Sequence, residues 1–449
     1  MLTRAHPHSP LADDELDTLF RDLEGARGVG LAVSGGADSV ALMVLFARWQ
    51  ALRGGGPDAL VLGVDHGLRP DSGDDIRKVV TWAQALGLPV RALEWTGAKP
   101  ETDLQAAARR ARYALMADAL EAAGFTHLVT AHHLEDQAET FLLRLAGGSG
   151  PHGLGGMAPV GRRGRLTVVR PFLSVPKARL VATLEAAGQD WVEDPSNRDP
   201  RFARARLRAL MPALAELGLT AERLADAAAH LRQTSAAIDA MAARFLSENG
   251  TAHPAGPHVF DFAGFSALPE AVAQRLLSVL VRFHGETGYP PRTTKRDDLL
   301  GALVTGEGVK RTLGRAVVER SGATVWIYPE AGRRGARDLA LAPGEAAETG
   351  RAGRVALSQE APGAVRIAPL GADGRRVLAG EGIAAPKAMP RAGYEASLAV
   401  WHEDAPVFVP VSDWAAEAWR GQVEFEPGDP FGGPPEAADR ARAYHSSNF

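Results

Sequence analysis

Six consecutive residues, Ser34-Gly35-Gly36-Ala37-Asp38-Ser39, concentrate anion-binding chemistry in one place. Two adjacent glycines let backbone N–H groups approach an anion closely. The hydroxyls of Ser34 and Ser39 add donors, and a helix starting here turns its positive end toward the same point. No Gly-Lys-Ser/Thr follows at the required spacing, so this is not a Walker loop. A carboxylate at Asp38 would be repelled by a triphosphate unless Mg²⁺ lay between them, which gives Asp38 a metal or nucleotide role. Further along, Asp65-His66 and His132-His133 each follow an apolar run. Asp136 and Glu139 are three apart, so they share a helix face, as do Arg109 and Arg112; Arg110 reads as a surface residue.

These residues need a frame that brings them to one edge. Apolar runs at 29–34, 60–65, 90–95, 127–130 and 166–172 alternate with helical patterns at 39–52, 74–86, 104–122, 134–145 and 176–187. Strand–helix repeats with fully apolar strands imply an α/β fold, a parallel doubly wound sheet covered on both faces. Ligands of such sheets bind at the carboxyl ends of the strands. The phosphate loop, Asp65-His66 and His132-His133 all fall there. After Pro212 the pattern changes: no strand is expected up to about Tyr289, and Leu224, Leu231, Ile238 and Phe245 recur every seven residues along one long helix. A second helix is expected over 271–283. Beyond Ala331 a linker leads to a small mixed α/β or β-rich segment with valine runs at 354–357 and 407–411, and the tail 426–435 reads as disordered. The expected division is a catalytic domain at 1–214, a helical domain at 215–330 and a C-terminal domain at 340–449.

Composition narrows the chemistry. A chain of 449 residues is long enough for about three domains. With 45% apolar and 23% charged residues it is ordinary for a globular protein, and the formal charge is −4. There is no cysteine, which excludes thiol nucleophiles, iron–sulfur clusters, thiolate zinc and persulfide chemistry. No apolar run reaches the roughly eighteen residues of a spanning helix, and the N-terminus lacks a signal-like apolar region, so a mature cytoplasmic protein is expected. Nucleic acid would have to be met by local basic residues: Arg162, Arg163, Arg165, Arg170, Lys177 and Arg179 form one basic stretch, and Arg198, Arg201, Arg204, Arg206 and Arg208 another.

Residues 34–39 resemble the SGGxDS pyrophosphate loop of the N-type ATP pyrophosphatases, the PP-loop superfamily, whose members split ATP between the α and β phosphates. Within that superfamily the chain is similar to the tRNA(Ile)-lysidine synthetases. The similarity rests on Val64-Asp65-His66-Gly67-Leu68-Arg69, Ala108-Arg109-Arg110-Ala111-Arg112-Tyr113, Thr130–Thr140 (TAHHLEDQAET), Gly153-Leu154-Gly155-Gly156-Met157, Arg170-Pro171-Phe172 and Asp194-Pro195-Ser196-Asn197. Thr312-Leu313-Gly314 and the β-like stretch after it resemble the family's later region. Gly147 stands where arginine is expected and Ala205 where asparagine is frequent.

The resemblance implies that ATP adenylates the 2-carbonyl oxygen of the wobble cytidine in tRNA(Ile) with a CAU anticodon. Free L-lysine then attacks with its ε-amine and expels AMP. ATP and Mg²⁺ are the cofactors implied, with Ser34, Gly35, Gly36, Ala37, Asp38, Ser39, Asp65 and His66 around the nucleotide and Asp38 on the metal. Asp136 and Glu139 would hold the lysine cation. Arg109, Arg112 or Arg204 would oppose charge on the α-phosphate. A neutral imidazole or a carboxylate nearby would take the amine's proton; of the two histidines, His133 is favoured over His132. RNA and small molecules are the expected partners, not DNA or a membrane. Two other readings remain: an amide-forming ligase of the same superfamily, and a nucleotide-dependent RNA-binding protein without catalysis.

Overall fold

The computed structural model describes residues 8–67, 72–97, 99–100, 104–193, 203–287, 290–331, 339–350 and 353–431. Leu68-Arg69, Asp194–Asn197, Arg198, Arg201 and the tail from 432 onward lie outside the described residues. The chain divides into two compact units, Met1–Ser235 and Ala236–Phe449.

The first unit runs α1 (Asp13–Phe20), β1 (Gly28–Ala32), α2 (Ala37–Arg53), β2 (Asp58–Asp65), α3 (Ser72–Ala85), β3 (Val90–Glu94), α4 (Leu104–Ala122) and β4 (His127–Val129). It continues with α5 (Leu134–Ala146), α6 (Pro151–Leu154), β5 (Val160–Arg163), β6 (Leu166–Val169), α7 (Lys177–Ala186), α8 (Ala203–Glu216) and the first half of α9 (Ala221–Asn249). The strand order is β3-β2-β1-β4-β6-β5, with Leu31 opposite both Val61 and Val129. The first five strands in that order are parallel; β5, antiparallel to β6, closes the edge.

Alternation along the strands puts side chains on both faces. Val29, Leu31, Val61 and Val129 pack with Phe20, Phe46, Trp49 and Leu180, so α1, α2 and α7 cover one face. Leu60, Leu62 and Leu128 pack with Tyr113, Met116 and Leu120 of α4 on the other. Gly30 makes the second contact possible, because a Cβ there would lie 2.6 Å from a Leu120 methyl. The expected doubly wound sheet is present. Strand β5 was not expected: Val160–Arg163 is only four residues long, with two exposed arginines.

Order along the sheet reverses between β1 and β4, and ligands of open α/β sheets bind beside such a reversal. The loops after β1 and β4 carry Ser34–Ser39 and Thr130–His133. Sheet topology therefore sets the two most chemically loaded segments side by side.

In the second unit, the second half of α9 is followed by β7 (Gly250–Ala252), β8 (His258–Asp261), α10 (Phe262–Ser266), α11 (Glu270–Gly285), α12 (Thr293–Thr305), β9 (Lys310–Leu313), β10 (Ala316–Ser321) and β11 (Thr324–Pro329). These strands form an antiparallel sheet, β7-β8-β11-β10-β9. Leu276, Leu277 and Leu280 of α11 share a core with Val318, Val325 and Ile327. The seven-residue seam does form one helix, with Ile238 and Phe245 against this core. The stretch expected to lack strands contains β7 and β8. Three- and four-residue strands carry too little periodicity to register, and the partner of β8 is β11, more than sixty residues later. Two further antiparallel sheets, of five and three strands, occupy 339–426; the expected run at 354–357 is a strand at those limits, whereas that at 407–411 is a strand over Ala405–Val409 followed by a helical turn at Pro410–Ser412. Among the described residues no helix is long and apolar enough to cross a membrane.

Candidate active site

The loop after β1 is shaped by its own side chains. Gly35 adopts φ +92, a conformation that strains any residue with a Cβ, and its carbonyl accepts from Val192 N at 2.9 Å. Ser39 Oγ accepts from Ser34 N at 3.1 Å and donates to Gly36 O at 2.9 Å. The single proton of that hydroxyl is thus engaged. Ser39 braces the turn, and Ser34, though exposed, has its hydroxyl 3.3 Å from that of Ser39. Gly36 caps α2, so the amides of Ala37 and Asp38 fall in the first turn and have no helical acceptor. An anion at this point meets N–H groups and the positive end of a seventeen-residue helix.

Asp38 Oδ2 accepts from Lys177 Nζ at 3.1 Å and lies 3.6 Å from His133 Nε2. Its other oxygen, Oδ1, is buried and has no hydrogen-bond partner among the described residues. Burial opposes the charged form, but His133 and Lys177 outweigh it and hold the carboxyl below its ordinary range. A buried anionic oxygen with free lone pairs suits a hard cation. No group of three or more metal-ligating side chains exists among the described residues. The single unpartnered carboxylate oxygen is the observation compatible with Mg²⁺, which is commonly held by one or two carboxylates plus substrate phosphates.

His133 is 3% exposed and ringed by carboxylates. Its Nδ1 donates to Glu135 Oε2 at 2.9 Å, while Nε2 lies 3.5 Å from Asp136 Oδ2 as well as close to Asp38. Burial alone would favour the neutral ring. Asp38, Glu135 and Asp136 overcome it and push the imidazole up to about 10. His132 behaves oppositely. Burial, with Arg170, Arg109 and Arg204 nearby, outweighs Asp136 and lowers it to about 4; its Nδ1 is 2.9 Å from Thr130 Oγ1. The expectation that His133 takes the proton finds no support in this setting, which favours the charged ring at His133 and the neutral ring at His132. Three flanking carboxylates are the reason.

On the next turns of α5, Asp136 and Glu139 face α8. Glu139, 1% exposed, receives Arg208 through Nε at 2.5 Å and Nη2 at 3.2 Å. Arg204 Nη1 and Arg208 Nη2 both lie 3.6 Å from Asp136 Oδ1, and Arg204 also reaches Thr140 Oγ1 at 3.3 Å. Carboxylates and guanidiniums thus alternate on one wall. Across the rim, Arg112 donates through Nε and Nη2 to His66 Nε2 at 3.0 and 2.9 Å. Burial and then Arg112 lower His66 to about 4, keeping it neutral. Asp65 braces the turn after β2 by accepting from Gly67 N at 2.7 Å and Ser72 Oγ at 2.6 Å.

Asp38, His133, Asp136, Glu139 and Arg204 therefore meet in one network, with Arg109, Arg112 and His66 beside it. Sequence reasoning missed Glu135, although it lies inside the same motif, and Lys177, whose tie to Asp38 spans 139 residues and leaves no local signal. The first basic stretch, Arg162 to Arg179, is not one continuous basic surface. Arg179 is buried in a bidentate pair with Glu15 at 2.9 and 2.7 Å, and Arg165 pairs with Asp118 and Glu121.

Comparison with known proteins bears on this geometry. The PP-loop domain family matches residues 9–214, a stretch that contains every side chain of the site. A tRNA(Ile)-lysidine synthase of Methylobacterium nodulans is 48% identical over 69% of this chain and 92% of its own length. One from Bradyrhizobium diazoefficiens is 43% identical over 73% of this chain and 96% of its own length. The chain belongs to the tRNA(Ile)-lysidine synthase family. Its departures at Gly147 and Ala205 are of two kinds. Gly147 ends α5, where a Cβ would press on Leu143 O at 3.3 Å, whereas Ala205 lies on α8 beside Arg204.

Proposed function

We propose that this protein joins free lysine to C2 of the wobble cytidine in tRNA(Ile) bearing a CAU anticodon, using ATP. The chemistry explains the site's inventory. An amide-like carbonyl oxygen is a poor leaving group, so it must first become a phosphate ester. The cytidine O2 attacks the α-phosphorus, the bond to the β-phosphate breaks, and pyrophosphate departs. The lysine ε-amine then forms a bond to C2, loses a proton, and AMP leaves with the former carbonyl oxygen.

The observation that carries this reading is the pairing, across the β1/β4 reversal, of an amide-lined loop with a wall of alternating carboxylates and guanidiniums. The loop 34–39 suits the triphosphate. Asp38, through its unpartnered Oδ1, is the residue to hold Mg²⁺, which when bound neutralises phosphate charge. Lys177 and the His133 imidazolium supply fixed positive charge at the same place. Asp136 and Glu139 match the cationic groups of lysine, and Arg204 and Arg208 its carboxylate, so a zwitterion can exchange partners with the wall. His132 is the neutral imidazole able to receive the amine proton. Arg112 is the guanidinium left to oppose the developing charge on AMP. We further propose that 1–214 acts as the catalytic domain while 215–330 and 340–449 hold the tRNA body, and that the protein works in the cytoplasm.

The test is incorporation. Protein, ATP, Mg²⁺ and radiolabelled lysine are incubated with tRNA(Ile) carrying CAU, and label is sought in the RNA together with AMP and pyrophosphate. Label must appear, and must disappear with Asp38→Ala. Amidation of a small carboxylate instead would establish the other ligase reading; tRNA binding without AMP release would establish the non-catalytic one.

A further inference from the structure

Not all arginines near the rim are alike. Arg165, Arg179, Arg204 and Arg208 have carboxylate partners. Arg109, Arg163 and Arg170 have none among the described residues, yet they gather at a single ring. The guanidinium carbon of Arg163 lies 3.7 Å from the centroid of Tyr113, and that of Arg109 lies 5.3 Å from it. Arg109 Nη2 also reaches the Tyr113 hydroxyl at 3.5 Å. Arg170 follows β6. Its Nη1 donates to Ala158 O at 2.8 Å, while its Nε is buried without an acceptor. Arg109 and Arg163 are close enough to repel its charge.

Two guanidiniums on one aromatic ring and a third close enough to be repelled by both, with no acidic residue among the described residues to neutralise them, are unfavourable unless an anion joins them. The ring holds Arg163 through its face, which leaves the N–H fork at the guanidinium's edge to bind a phosphate bidentately. Position narrows the ligand further. Arg170 and Arg109 border His132 at the rim, whereas Arg163 lies on the edge strand β5, one step away from the reacting centre. The cluster thus leads outward from the place where the nucleotide base must enter. The ATP phosphates already have the loop 34–39, so a second phosphate site flanking the chemistry belongs to the polymer.

We propose that Arg163 and Arg109, braced by Tyr113 and joined by Arg170, bind a backbone phosphate of the RNA next to the nucleotide being modified. This rests on the reading of the protein as a tRNA-modifying enzyme.

The test uses the full chain, unmodified tRNA(Ile) with CAU, and binding measured from low to high KCl. Arg163→Gln is expected to weaken binding about tenfold, the value of one charge-assisted contact. It should also reduce the slope of log affinity against log salt by about 0.7–0.9. Arg163→Lys keeps the charge and should keep the slope. Arg165→Gln, at a cation already paired with carboxylates, should change neither quantity. ATP binding without RNA should be equal in all four proteins; a selective loss in Arg163→Gln would assign the cluster to the nucleotide and overturn the proposal. An unchanged slope in Arg163→Gln, in a protein that binds tRNA and incorporates lysine, overturns the proposal alone. Failure of the wild-type protein to bind the tRNA overturns the functional reading with it.

Discussion

Replacing Asp38 by asparagine keeps shape and removes one charge from the network that holds His133. The folded-state value of about 10, against an ordinary 6.5, corresponds to roughly 5 kcal/mol in favour of the imidazolium. Three carboxylates produce it, at 2.9 Å from Glu135, 3.5 Å from Asp136 and 3.6 Å from Asp38. Removing Asp38 should lower the His133 midpoint by at least about one unit, or roughly 1.4 kcal/mol. The sign of the stability effect follows. A raised folded-state value stabilises the protein fully below pH 6.5, and that contribution is lost as pH rises through about 10. Asp38→Asn should therefore show a shallower alkaline loss of stability than wild type. The assay is an NMR titration of the imidazole resonances in protein free of nucleotide and Mg²⁺, with denaturant unfolding at pH 7 and pH 9. Lysine incorporation should fall on the order of 10²–10³-fold, the range for loss of one preorganised electrostatic group. A wild-type His133 that titrates near 6.5, or a midpoint indifferent to Asp38→Asn, would refute the account of this network.

Other perturbations read other parts of the structure. Glu139→Gln removes the nearer of the two carboxylates that hold Arg208 and puts a neutral amide at a buried position, so it should destabilise the first unit by about 1–3 kcal/mol. It should also raise the KM for lysine far more than that for ATP, as steady-state kinetics would show. Gly35→Ala forces a Cβ onto φ +92 and toward Val192 at 3.4 Å. Strain of about 1–3 kcal/mol should appear as weaker ATP binding by calorimetry with little change in tRNA affinity. In the second unit, His258 is buried, with Nδ1 2.9 Å from His284 Nε2, and burial lowers it to about 4. A lowered value means stability is lost as pH falls from 6.5 toward 4, here by up to roughly 3 kcal/mol. The acid-side decline in unfolding free energy should flatten in His258→Gln; an unaltered decline would place the titrating group elsewhere.

The sheet was legible because each apolar run had both faces to bury and each helix its own period. Helix α4 was read at its observed limits, and α2 and α5 came within two residues. Elements whose reason for existing lies far away were not legible. Strand β8 pairs with β7 nearby but also with β11, more than sixty residues later; β5 lies next to its partner β6 in the chain and was missed for another reason, four residues with two exposed arginines and no apolar pattern. Arg179 shows the same limit for side chains. It reads as one more cation in a basic stretch, yet it is buried because Glu15, 164 residues earlier, supplies two oxygens and Ser9 and Pro10 supply carbonyls.

Site positions and site charge states differ in the same way. Asp38, His132, His133, Asp136 and Glu139 could be placed on one rim because strand ends and helix turns have fixed spacing. Which histidine is charged could not, since it depends on what surrounds each ring. Adjacent in the chain, His132 and His133 sit in different settings: burial, aided by Arg170, Arg109 and Arg204, outweighs Asp136 at one, whereas Asp38, Glu135 and Asp136 overcome burial at the other. A single peptide step at the end of β4 separates an acceptor from a fixed cation. That division suits a reaction with two unlike demands, a proton to be taken from an amine and a phosphate charge to be opposed. It also requires that the two residues not substitute for each other: exchanging the roles would need the burial and the charges around each ring to change, not the histidines to move.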